Sequence, residues 1–295
     1  MEDPPEMSRN IPQIRQADFD APKYNLQGRK LCVLLIHDER QRTHQLGKDD
    51  EDMEEKSQSR INNDLSQLES TLREKFGDDV IKEKIPINDE LTTQTFKKRL
   101  ETFADQRIPS DVGAFLCVFL GFGGSEYVYL GRGEIGKIQK MDFAEVVQQF
   151  NGENCKALVA KPKMFFVQAE TIHPAKPPDG AFSGTVSKGD LVKIPIHADI
   201  FVYFSSALAG KLWNEVPLSD GVGDKEKVMS RFVHVLCSEI AKLTQDVDIQ
   251  KMVIRINHQI HTAKFPEDKR PPDVLPLATS QLTKILVLAD ITGTK

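Results

Sequence analysis

The chain has 295 residues, 39% of them hydrophobic and 28% charged, with a formal net charge of −5 and a pI near 5.9. That length supports one large α/β domain or two ordinary ones, each with a substantial core. The acidic balance provides no basic stripe to replace phosphate counterions, which argues against a nucleic-acid partner.

No segment reads as a membrane span, since the longest apolar run, GAFLCVFLGFGG, is too short to cross a bilayer. The N-terminal MEDPPEMSRN lacks the apolar stretch of a secretory signal. The four cysteines, Cys32, Cys117, Cys155 and Cys237, are scattered without a CxxC pair. They signal neither a zinc site nor a disulfide framework and fit a reducing compartment, so the expected location is the cytoplasm.

In chain order, residues 1–23 are proline-rich and charged, the composition of a flexible arm. KLCVLLIH, from Lys30 to His37, is a continuous apolar run of the kind buried on both faces of a parallel sheet. In DDEDMEE, Asp49 to Glu55, six of seven residues are acidic, which predicts a solvated loop. Leu65, Leu68, Leu72 and Phe76 recur at helical spacing and predict a helix over 59–76. A second strand is expected over 79–84, a helix over 92–103 carrying Phe96, Leu100 and Phe103, and a third buried strand over 113–120.

A helix near 143–150 leads to a fourth strand, Lys163 to Gln168. Residues 173–196, with Pro174, Pro177 and Pro178, read as a linker. A fifth strand over 199–204 follows, then helices marked by Val228 to Leu243 and Ile249 to Ile260, and a sixth strand at Lys284 to Leu288. Strands alternating with helices predict an α/β fold built on an open, mostly parallel sheet. Its active edge lies at the carboxyl ends of the strands, here after Leu120 and after Gln168.

FNGENCKALVAKPKMFFVQAE, Phe150 to Glu170, resembles the caspases, cysteine proteases that cut after aspartate. In that family F-x-G-x-x-C-x-x-L-x-x-K-P-K-x-F-F precedes a nucleophile segment Q-A-C. Phe150, Gly152, Cys155, Leu158, Lys161, Pro162, Lys163, Phe165, Phe166, Gln168 and Ala169 fit that spacing. HADIFVYFSS (His197 to Ser206), the single Trp213 and SQLTKILVL (Ser280 to Leu288) extend the resemblance over roughly Tyr24 to Ile291. It implies a three-layer α/β/α sandwich with a six-stranded, mostly parallel sheet. Residues 24–172 are then large-subunit-like, 173–196 an intersubunit-like linker and 197–295 small-subunit-like.

The departures fall on the chemistry. Glu170 stands at the family cysteine and Phe122 at the family histidine, next to a retained Gly123. A phenyl ring transfers no proton, and a carboxylate without a base is a poor acyl-forming nucleophile. Among substrate-pocket positions the resemblance places Arg60, Gln168, Trp213 and Asn214, the last where the family holds an arginine for the substrate aspartate. A carboxylate added about 5 Å from that aspartate repels it by roughly 3 kcal/mol at an effective dielectric near 20.

Other readings of the same residues are Glu170 as an acid or base, Cys155 as a displaced nucleophile or a core thiol, and a metal held by His37, His173 and His197. None has a partner at diagnostic spacing. The expectation is therefore a non-catalytic caspase homologue with no cofactor, metal, membrane or small-molecule substrate. It would regulate cell death by pairing with an active caspase, or with itself, through Lys284, Ile285, Leu286, Val287 and Leu288. Enhancement of the partner is the leading reading and inhibition as a decoy the rival. Asp20 and Asp179 are candidate processing positions.

Overall fold

The run from Lys30 forms β1 (Lys30–Asp38), and its alternation serves two cores. Leu31, Val33 and Leu35 enter one hydrophobic cluster, while Cys32, Leu34 and Ile36 enter the other. A strand with water on neither face needs apolar residues at every position, which is what the sequence supplies. The computed structural model describes residues 20–39, 51–123, 127–131, 139–170, 198–207, 215–217, 228–262 and 276–292.

After β1 come α1 (Glu51–Phe76), β2 (Val80–Ile87), α2 (Thr93–Gln106), β3 (Val112–Phe122), β4 (Tyr127–Tyr129), β5 (Lys140–Asp142) and α3 (Phe143–Gln148). The chain continues with β6 (Lys163–Glu170), β7 (Ile200–Ala207), β8 (Glu215–Pro217), β9 (Val228–Ser230), α4 (Arg231–Ala241), α5 (Ile249–Thr262) and β10 (Leu277–Ser280). Six strands form one sheet in the order β10-β7-β6-β3-β1-β2, parallel except for β10 against β7. One face packs on α1, α4 and α5, the other on α2 and α3, giving three layers. On the first face Tyr203 stacks on Phe232 at 5.4 Å, and on the second Phe115 stacks on Phe150 at 4.5 Å.

The sixth strand is a correction. Lys284 to Leu288 is not a strand: Leu286, Val287 and Leu288 are 1%, 4% and 4% exposed in the core beside α1, and Leu288 opens a 3-10 turn. A five-residue apolar run satisfies a core-filling segment as well as a strand, so periodicity alone does not separate them. The strand is β10, whose sequence LATS carries no apolar pattern. The acidic run is corrected as well, because α1 begins at Glu51 and takes in most of the segment expected as a loop. Pro22 and Lys23, assigned by composition to the arm, are joined to the body: the Ile285 amide donates to the Pro22 carbonyl at 2.9 Å, and Lys23 pairs with Asp290 at 2.6 Å.

Candidate functional site at the carboxyl edge of the sheet

The parallel register of β3 and β6 sets Gly121 opposite Ala169 and Phe122 opposite Glu170. The two positions that the motif singled out therefore end adjacent strands, side by side at the carboxyl edge. Phe122 is 5% exposed, and by alternation it falls on the α1 face with Ala114, Leu116, Val118 and Leu120. Gly123 follows, bridged to Val128 of β4, and a Cβ there would collide with the Tyr127 carbonyl oxygen.

Gln168, also buried, is engaged within the protein. Its Oε1 accepts from the Ser230 hydroxyl at 2.9 Å, and the Ser230 amide donates to Asp64 Oδ1 at 2.7 Å. Ser230 is the N-cap of α4, its Oγ accepting from the Val233 amide. One serine thus ties α1, β6 and α4 together beneath the edge. Asp64 lies one turn after Arg60 on α1. Buried Arg231 follows Ser230, and desolvation lowers its pKa to about 10. Sequence reasoning missed Ser230; its one signal is a serine just before the helical run RFVHVL. Trp213, Asn214, Asp179, His173 and His197 lie outside the described residues, while Asp20 begins the first described segment.

The four cysteines are all described, and all are buried. Cys155, 1% exposed, donates its thiol to the Ala104 carbonyl at 3.3 Å. Ala104 is in the last turn of α2, so Cys155 sits at the amino end of the sheet, and the length of β6, roughly 23 Å, separates that end from Glu170. Burial raises its pKa, as it does for Cys117, and pushes Cys32 and Cys237 up to about 12. His37, at the end of β1, is 4% exposed, its Nε2 3.6 Å from Glu39, and burial lowers its pKa. Among the described residues no group of three or more His, Cys, Asp or Glu is placed to hold a metal ion.

The motif around Cys155 has structural uses. Asn151 Oδ1 accepts the Glu153 and Asn154 amides, and Lys163 Nζ donates to the Leu158 and Lys161 carbonyls at 3.2 and 2.8 Å. Together they fix the turn that launches β6.

The caspase-domain family profile matches residues 51–286, most of the chain. The chain belongs to the caspase family. It is 27% identical over 187 residues to caspase-7 of Gallus gallus, covering 59% of this chain and 55% of that protein. It is 24% identical over 219 residues to caspase-3 of Mesocricetus auratus, covering 72% of each. The chain thus spans about half the length of the first relative and nearly three quarters of the second. Among solved structures, the pro-form of sf-caspase-1 matches with a TM-score of 0.62 at 22% identity, covering 92% of this chain and 100% of that one. Caspase-1 from Spodoptera frugiperda matches at 0.59, covering 91% and 93%. The fold is that of a caspase, with its six-stranded, mostly parallel sheet. No helix among the described residues is long and apolar enough to cross a membrane.

Proposed function

We propose that this chain is a non-catalytic member of the caspase family that docks an active caspase domain along β10 and raises its proteolytic activity, acting in the cytoplasm as a regulator of cell death. The observation that supports it most is the register of Phe122 with Glu170. The register sets side by side the two positions to which the resemblance assigns the family's histidine and cysteine, and these hold a ring without a transferable proton and a residue without a thiol. Nor does a displaced thiol substitute, since every cysteine is buried and Cys155 is at the opposite end of the sheet.

The two sheet edges differ in a way that favours β10 for docking. At the other edge, Lys82 and Lys84 of β2 pair with Glu69 at 3.1 and 3.2 Å, and Pro86 removes one N–H from the strand. Charges and proline blunt an edge against pairing. β10 has neither, and Leu277 is 42% exposed. Ile285, just beyond it, is 53% exposed. Backbone pairing of β10 with the edge strand of a partner would cover these groups and favour the partner's ordered, active state by population shift.

The test is to mix the purified chain with active caspase domains and follow complex mass and aspartyl-peptide cleavage together. A complex with faster cleavage is the expected result, and slower cleavage would reassign the chain as a decoy. Hydrolysis by the chain alone, lost on Glu170→Ala or Cys155→Ala, would make it an enzyme and overturn the reading.

A further inference from the structure

Asp199 stands immediately before β7, just past the linker, and three parts of the chain converge on it. It is a non-glycine residue at φ 67°, in the left-handed region, and 5% exposed. Its carbonyl accepts from the Lys163 amide at 2.8 Å, and its amide donates to the Gln281 carbonyl at 2.9 Å. Its Oδ1 accepts from the Tyr24 hydroxyl at 2.5 Å and from the Thr283 hydroxyl at 2.5 Å, while the Tyr24 oxygen accepts from the Thr283 amide at 3.2 Å. Tyr24 is itself held by its amide, which donates to the Ile285 carbonyl at 3.1 Å.

Geometry places this triad where it can act on β10. Asp199 fixes the start of β7, the strand that β10 pairs with, and Gln281, the residue directly after β10, accepts from the Asp199 amide and donates its own amide to the Ile200 carbonyl. Thr283 lies two residues further on. Tyr24 comes from the segment that follows residues 1–19, and Asp199 from the segment that follows the linker. Burial and the Asp199 carboxylate both hold the Tyr24 phenol protonated, so it remains a donor.

We propose that Tyr24, Asp199 and Thr283 form a positioning latch for the β10 edge, which sets how readily that edge docks a partner. The claim rests on β10 as the docking edge, but the order of the edge is measurable without any partner. Tyr24→Phe and Thr283→Val each remove one hydroxyl and keep the shape. Both are expected to speed amide hydrogen exchange over Leu277–Gln281 at least tenfold while β3 and α2 exchange as before, because local opening sets the rate. Combined, they should give much less than the product of the single effects, since the two hydroxyls serve one carboxylate.

Leu26→Ala is the control, a buried apolar residue in the same segment that lowers global stability without touching the triad. Where the wild-type chain binds an active caspase domain, the latch variants should weaken the complex by a similar factor and Leu26→Ala should not. Uniform exchange across the sheet, multiplicative single effects, or unchanged exchange at β10 would each overturn the latch. Normal latch behaviour without any complex would instead overturn the docking reading.

Discussion

Gly123 has no room for a side chain beside the Tyr127 carbonyl, so packing alone explains its glycine. The neighbouring pair is where chemistry would have to be rebuilt. Because Phe122 and Glu170 are register partners on adjacent strands, Phe122→His with Glu170→Cys would put side by side the residue types that the resemblance assigns to these positions. Turnover of an aspartyl peptide should nonetheless stay near background until Asn214→Arg is added, and then rise at least a hundredfold in kcat/KM, because the substrate carboxylate needs a charge-assisted partner. Efficient cleavage by the double variant would refute this account of the pocket. The thiols give a simpler check. Burial pushes Cys32 and Cys237 up to about 12, so both are held as thiols at pH 7. A thiol reagent should therefore leave the native protein unlabelled and modify all four cysteines after denaturation; rapid native labelling of Cys155 would revive it as a nucleophile.

Among the elements, legibility followed burial. β1, β3 and β6 are buried on both faces and announced themselves as apolar runs, whereas β10 is exposed and short and left no pattern. The core-filling Leu286–Leu288 imitated the strand that β10 is. The spacing of the motif before Glu170 is legible because it is local, but the register that sets Phe122 beside Glu170 joins two strands distant in sequence and needs the folded sheet. Likewise, Tyr24 and Asp199 meet across 175 residues and Ser230 and Gln168 across 62, contacts that exist only once the sheet has formed. The two candidate docking segments separate by mutation. Leu277→Lys should abolish complex formation with an active caspase domain while moving stability by no more than about 0.5 kcal/mol, as for other exposed positions. Leu286→Ala should instead cost about 2–5 kcal/mol by leaving a cavity, read as a lower urea midpoint. Loss of binding by a stably folded Leu286→Ala, with Leu277→Lys binding normally, would return the interface to Lys284–Leu288.

Across the whole molecule, buried ionisable groups on both sides of neutrality confine stability to a pH window. His37 has its folded pKa lowered by burial below its ordinary 6.5, so its contribution is complete above about pH 6.5 and is lost as pH falls beneath it. Lys163, 2% exposed, is lowered from 10.5 to about 8, again chiefly by burial. Its charged form is disfavoured in the fold by roughly 3 kcal/mol, a penalty in full force below pH 8 and relieved as pH rises from 8 towards 10.5. The cysteines act in the opposite sense. Cys32 and Cys237 are raised from 9.0 to about 12, so the stability they contribute below pH 9 is lost between 9 and 12, with Cys117 and Cys155 adding to the loss. Between pH 8 and 9 the relief of Lys163 dominates, with Lys161 lowered by burial in the same sense, and above that the raised thiols and buried tyrosines outweigh the lowered bases, Arg231 among them. The urea midpoint should therefore fall from pH 6.5 to 5.5, climb between 8 and 9, and fall again beyond it. His37→Leu should flatten the acid limb and Lys163→Met the climb; a climb that persists in Lys163→Met would mean that another group controls the alkaline side.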